Sequence, residues 1–250
     1  MQSTSTNGQQ PITLDEIQAK FETEHNVTSD PWDYAGSGAE RLRYKKVISL
    51  GKVYKPKPDN LLEIGCSSGL FTAKLAGWPK VATITDISST AIAITEKVIK
   101  SVLNKGTDYK LMKVSATEPF SPDDFYDVVT LMDVMESVGD SMHIQVDIIN
   151  NLKRMMKPDA IIIITDYQSP KKFDQSIAKY EGWGLELLEK HYMHDRLWFS
   201  LRTNLKGLAK INPFKRLLAS ETAAEKLAQL SKKRGANGSK HMVLVMRKAR

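Results

Sequence analysis

The 250-residue chain is 41% hydrophobic and carries 36 Lys/Arg against 29 Asp/Glu, a net charge of +7. That length holds one full-sized α/β domain with additions, and two independent domains would be crowded. A single cysteine, Cys66, rules out an internal disulfide framework and a thiolate zinc site, and no apolar run reaches the roughly 18 residues that cross a bilayer. The polar start, MQSTSTNGQQ, lacks the basic and apolar regions of a signal peptide. A cytoplasmic protein without a metal is expected.

In chain order, residues 1–12 read as a disordered tail. Residues 13–58 form a helical lid segment, interrupted at Asp30-Pro31-Trp32-Asp33 because proline excludes its predecessor from α geometry. A core follows over 59–194, with strands predicted at 60–65, 81–86, 109–114, 127–132 and 160–166. Helices are predicted near 69–77, 88–104, 141–156 and 171–182. This alternation implies a parallel sheet with helices packed on both faces. The run AIIIITD (160–166) is continuously apolar and β-branched, as in a strand buried on both sides. Residues 185–194 supply a sixth strand, and the closing segment 240–250 a seventh.

Between these last strands lies a helical insertion, 195–239, longer than ordinary connections and suited to a lid, a homodimer contact or another interaction surface. It is strongly basic. Residues 196–250 hold 14 Lys/Arg against Glu221 and Glu225, a net of +12, so residues 1–195 carry −5. Such an end suits either a solvated helical surface or contact with an anionic substrate, a lipid surface or nucleic acid.

The chemistry concentrates in LLEIGCSSGLFTAKLAG (61–77), a strand that breaks into small residues before a helix-like stretch. Gly69 is followed by Leu70, so no lysine meets a phosphate as in a P-loop. Dinucleotide glycines would be needed at Gly65, Ser67 and Leu70, and two of the three fail. Gly65-Cys66-Ser67-Ser68-Gly69 matches the serine-hydrolase elbow by letters, yet no oxyanion loop precedes it. A nucleoside without phosphate fits more positions. Asp86, closing the second strand in VATITDIS, lies at the sheet's C-terminal edge, where a carboxylate can accept both ribose hydroxyls. Adenosine with a charged amino-acid tail, S-adenosylmethionine (SAM), suits this arrangement.

Four segments together resemble class I SAM-dependent methyltransferases: LLEIGCSSGLFTAKLA, TDIS (85–88), FYDVVTLMDVMESVGD (125–140) and LKRMMKPDAIIIIT (152–165). Upstream, DPWDYAGSGAERLRYKKVISL (30–50) is similar to the corresponding segment of nodulation protein S-type small-molecule N-methyltransferases. The resemblance implies a Rossmann-like, doubly wound sheet of seven strands with the last antiparallel. It implies SAM as cofactor and S-adenosylhomocysteine as product. The cofactor residues would be Glu63, Gly65, Cys66, Ser67, Gly69, Asp86 with Ile87, Ser115 with Ala116, and Asp133. Ser67 stands where many members have glycine, and Ser115 where an aspartate often contacts adenine.

Methyl transfer from a sulfonium needs alignment above all, and an amine also needs its lone pair free. Asp133, Glu136, His143 and Asp166 are the titratable candidates near the ends of the fourth and fifth strands. Trp32, Tyr34, Arg41 and Tyr44 would close over the cofactor, and Tyr167 and Trp198 would line an acceptor pocket. The expected activity is methylation of a small molecule, at an amine or a hydroxyl. An RNA or protein methyltransferase using the basic end, and a non-catalytic scaffold of the same fold, are the alternatives.

Overall fold

The computed structural model describes residues 12–139, 141–205 and 212–249. The expected tail at 1–12 therefore lies, but for Ile12, outside the described residues. The fifth strand, β5 (Met156–Tyr167), shows how the sheet is held. Side chains alternate across a strand. Ile162 and Ile164 enter one apolar layer with Ile148, Ile149 and Phe173, while Ile161 and Ile163 enter another with Val47, Leu50 and Trp78. Ile161, Ile162, Ile163 and Ile164 are each at most 3% exposed, so the run is buried on both sides as its composition implied.

Seven strands form one sheet in the order β3-β2-β1-β4-β5-β7-β6. They are β1 (Asn60–Ile64), β2 (Val81–Asp86), β3 (Asp108–Lys113), β4 (Tyr126–Met132), β5, β6 (Leu185–Tyr192) and β7 (His241–Lys248). Strands β1 to β5 pair in parallel, and β7 runs antiparallel to both β5 and β6. The lateral register aligns Ile64 with Thr85 and Leu131, and Met132 with Thr165. The loops after β1, β2, β4 and β5 thus emerge on one edge, where open α/β sheets bind ligands.

Helices α1 (Leu14–Val27) and α2 (Gly38–Tyr54) precede the sheet. Each begins at a side-chain cap: Thr13 accepts the Glu16 N–H in a capping box, and Ser37 accepts the Glu40 N–H. The helix expected at 69–77 is only a 3-10 turn, Thr72–Leu75, because the chain turns left-handed at Gly77 (φ 77°) and Pro79 follows. Helix α3 (Ser89–Ile99) stops short of 104. Next come α4 (Val134–Ser137), α5 (Met142–Met155) and α6 (Phe173–Gly182). Strand β5 starts earlier than expected, and the proline turn at 157–159 is absorbed as a register shift between Tyr126↔Met156 and Val128↔Ile161. Pro158 lacks an N–H, so it sits comfortably in such an irregularity.

Between β6 and β7 lies a helical segment of α7 (Arg196–Asn204), α8 (Asn212–Ala219) and α9 (Glu221–Lys232). It packs on α2 through a small cluster of Ala39, Trp198, Leu218 and Ala224. Helix α2 is wedged equally closely on its other side. A Cβ at Gly51 would lie 2.1 Å from Trp78 Cη2. That indole cannot swing away, since it is buried and its N–H donates to the Lys55 carbonyl at 2.9 Å. Gly51→Ala is expected to lose about 1–3 kcal/mol to overpacking despite alanine's better helix propensity. Thermal unfolding that gives a Tm at or above wild type would contradict this packing.

Candidate active site

The parallel strands deliver their C-terminal loops to a cavity of about 620 Å³, roofed by α1 and by the 30–34 loop. On one side, Gly65 turns the chain left-handed after β1 (φ 76°), and the N–H groups of Gly65 and Cys66 both reach the Thr85 carbonyl, at 2.9 and 3.1 Å. A Cβ on Gly65 would lie 2.8 Å from the Val134 side chain, so only glycine fits this bend. Ser67 also sits at positive φ (50°), in the conformation that suits the glycine of many relatives.

Asp86 anchors this loop. Its Oδ2 accepts the Ser67 N–H and its Oδ1 the Ser88 N–H, both at 2.9 Å. Burial raises its carboxyl above the ordinary range, against the pull of those two N–H groups. A carboxylate has about four lone-pair sites, so these two N–H groups and the Cys66 thiol leave acceptor capacity for a ligand hydroxyl. His25 of α1 closes the loop from above. Its Nδ1–H donates to the Phe21 carbonyl at 2.8 Å, leaving Nε2 to accept the Ser67 hydroxyl at 3.3 Å.

The other side of the cavity holds a chain of buried charges. Asp133 follows β4 in the left-handed region (φ 60°), a strained setting for a non-glycine residue that is typical of functional sites. Arg43 grips it with two bonds, Nη1 to Oδ1 at 2.7 Å and Nη2 to Oδ2 at 2.6 Å. The same guanidinium donates to Glu40 at 2.5 and 3.0 Å and to the Thr165 hydroxyl at 2.7 Å. Burial alone would raise the Asp133 carboxyl, but Arg43 and His241 hold it below the usual range. His241, the first residue of β7, places Nε2 3.8 Å from Asp133 Oδ1, and its Nδ1–H donates to Asp195 Oδ2 at 2.5 Å. Tyr167 and Phe199 pack on that imidazole, with ring centroids 5.2 and 5.3 Å away.

The structure brings Trp32, Tyr34, Gly65, Ser67, Asp86, Ile87, Ser115, Ala116, Asp133, Glu136 and Tyr167 together around the cavity. It places the remaining candidates elsewhere. Glu63 is buried beneath the loop, its carboxyl pushed up to about 8 by burial. Cys66 is buried with the Thr95 hydroxyl 3.2 Å from its sulfur, and burial pushes its thiol up, as suits an inert residue. A Cβ on Gly69 would lie 2.8 Å from the Thr95 backbone. Asp166 is enclosed by the Tyr180 hydroxyl (2.8 Å) and the Glu136 N–H (3.2 Å), with its carboxyl raised to about 6 by burial and by Asp133. His143 opens on a separate depression with Asp15 and Asp147.

Arg41 donates to the carbonyls of Ala35 and Ala219, fastening α2 to the insertion, and Tyr44 and Trp198 are core residues. Arg43, Glu40, His25, Asp195 and His241 escaped the sequence reading. A signal existed for two of them. Glu40 and Arg43 share a helical face with Val47 and Leu50, which marks an inward-facing ion pair.

These features fit SAM on their own terms. Gly65 and Ser67 of the left-handed bend line the cavity, Asp86 lines it beside them, and Glu24 Oε2 is a buried, unpartnered acceptor in another lining residue. Residues 38–212 match the methyltransferase domain family. The chain belongs to that family.

Among curated relatives, this methyltransferase is 30% identical over 137 residues to nodulation protein S of Rhizobium tropici, 55% of each chain. It is 28% identical over 137 residues to nodulation protein S of Sinorhizobium fredii, 55% of this chain and 60% of that one. The matches thus span little more than half of those relatives. Its fold is shared with the N-methyltransferase NodS of Bradyrhizobium japonicum in complex with S-adenosylhomocysteine, at TM-score 0.66 and 17% identity over 94% of this chain and 99% of that one. It is shared also with the 1,6-didemethyltoxoflavin-N1-methyltransferase of Burkholderia thailandensis, at TM-score 0.65 and 9% identity over 99% and 94%. Among the described residues of this methyltransferase, no helix is long and apolar enough to cross a membrane, and no cluster of three or more His, Cys, Asp or Glu can hold a metal ion.

Proposed function

We propose that this chain methylates a nitrogen of a small-molecule amine. SAM supplies an electrophilic methyl on a sulfonium, and the protein's task is to hold that cation and aim an acceptor at it. Gly65, Ser67, Asp86, Ile87, Ser115 and Ala116 would receive the nucleoside, with Asp86 on its ribose. Asp133, Tyr34, Tyr167, Phe199 and His241 line the rest of the cavity and would receive the acceptor.

The observation that carries the amine reading is the charge of that second side. Glu40, Asp133 and Asp195 bring −3 and Arg43 brings +1, so the buried cluster sums to −2 with His241 neutral and −1 with it protonated. A buried negative balance beside aromatic faces favours a cation, which an ammonium is and an alcohol is not. The two structural relatives that are N-methyltransferases, NodS of Bradyrhizobium japonicum and the Burkholderia thailandensis enzyme, support the same reading.

Turnover of radiolabelled SAM against pooled alkylamines, amino sugars, the matching alcohols and RNA tests it. Labelling of alcohols or RNA, with amines inert, would overturn it. Phe199→Ala is expected to raise KM for a reactive amine by roughly ten-fold, the loss of one cation–π wall. Its SAM affinity by calorimetry should stay at the wild-type value.

A further inference from the structure

Resting on the amine reading, we infer that His241 is the base that deprotonates the acceptor ammonium through Nε2, with Asp195 as its positioning residue. Each other candidate around the cavity is committed or unsupported. Both oxygens of Asp133 are held by Arg43, and those of Asp166 by Tyr180 and the Glu136 N–H. His25 spends Nδ1 on Phe21 and Nε2 on Ser67. The Glu24 and Glu136 carboxylates face the cavity, but no second group among the described residues orients them.

His241 is different. A carboxylate can only accept, so Asp195 fixes the tautomer with the proton on Nδ1. Asp195 is itself immobile, its Oδ1 accepting the N–H groups of Lys240 (2.6 Å) and His241 (3.3 Å). Among the described residues, Nε2 has no hydrogen-bond partner closer than the 3.8 Å approach to Asp133, which leaves its lone pair available to the cavity.

The groups that face this imidazole are Asp195, Asp133, Tyr167 and Glu136 from the surrounding loops and strand, and, from α2, Arg43, which is itself paired with Glu40. Burial and Arg43 depress its proton affinity, but Asp195 and Asp133 outweigh them and hold it above the usual histidine value. An ammonium arriving beside Asp133 gives a proton to Nε2, and the freed lone pair forms the N–C bond. The methyl's bond to sulfur breaks and its electrons stay on sulfur. The methylated product leaves as an ammonium, and the imidazolium returns its proton to water. Charge balances: the sulfonium's positive charge ends on nitrogen and the ammonium's proton ends in solvent.

With whichever amine turns over in the pooled assay, wild-type kcat is expected to rise with pH along a limb centred above 6.5. His241→Gln should lower kcat by about 10²–10⁴-fold with KM within about three-fold and lose that limb. Asp195→Asn removes a carboxylate, so its limb should move to lower pH while kcat falls. A variant amine already neutral at pH 6, such as an aniline, should be nearly indifferent to both substitutions. An unchanged limb in His241→Gln, or equal losses for aniline and alkylamine, overturns the assignment while leaving the amine reading intact. Should no amine turn over, the amine reading falls instead. Nitrogen-15 histidine NMR then decides the geometry alone: a neutral His241 protonated on Nε2 overturns the proposal, and one protonated on Nδ1, with its titration lowered in Asp195→Asn, upholds the site.

Discussion

Replacing Arg43 with methionine is expected to destabilise the fold by about 3–5 kcal/mol at pH 7, the usual consequence of removing one partner from a buried ion pair. Arg43 is 2% exposed and makes five polar contacts in one place, to Glu40, Asp133 and Thr165. Methionine fills much of the volume but leaves Asp133 without its counter-charge, and the cost lies in that stranded carboxylate. The pH dependence follows from its sign. In the wild type, the Asp133 carboxyl is held below its ordinary value, so its contribution is present above the unfolded pKa and is lost as pH falls through the folded one. In Arg43→Met the carboxyl loses that support, so the deficit is largest at neutral pH and shrinks on acidification. Urea unfolding at pH 7 and pH 4.5 measures both, and Arg43→Met with Asp133→Asn should recover part of the loss. An equal deficit at the two pH values would mean that the cluster is not ionised.

Asp86→Ala is expected to weaken SAM binding by at least about 10²-fold, since hydrogen bonds to a charged group contribute about 1.5–3 kcal/mol each and a ribose offers two. The substitution also frees the Ser67 N–H, so weaker binding alone does not identify the contact. A ligand cycle does. Wild-type protein should prefer adenosine to 2′,3′-dideoxyadenosine, and Asp86→Ala should treat them alike. A variant that still discriminates between the two nucleosides would place the ribose hydroxyls on some other group. Because the Asp86 carboxyl is raised by burial, cofactor affinity should also weaken as pH falls, from a point above the ordinary aspartate range.

The functional sides of the cavity were unequally legible. The cofactor side is built from short-range features: a strand that ends in a glycine bend, and Asp86 closing the next strand. Period-two burial, β-branched runs and left-handed turns are properties of a few neighbouring residues. The strands, their ligand-binding edge and the glycine loop after β1 could therefore be placed from local pattern. Where the pattern was ambiguous, as at 69–77, a glycine and a proline overrode helix-forming residues.

The acceptor side depends on contacts between distant segments. Arg43 meets Asp133 across 90 residues, and His241 meets Asp195 across 46. Arg41 and Arg43 look equivalent in the chain, yet two residues along a helix turn a side chain by about 200°. One therefore fastens α2 to the insertion, and the other enters the site. His143 stands beside the fourth-strand motif in sequence, while His241 lies far from it and reaches Asp133 only because β7 returns antiparallel next to β5. The amino-acid order alone determined the strands and the glycine bend after β1, because these rest on local backbone preference and burial, and the family was legible in it through the resemblance of four segments to known motifs. Which charges face one another on the buried, charged side of the cavity was decided by tertiary structure, because Coulomb interactions follow distance in space.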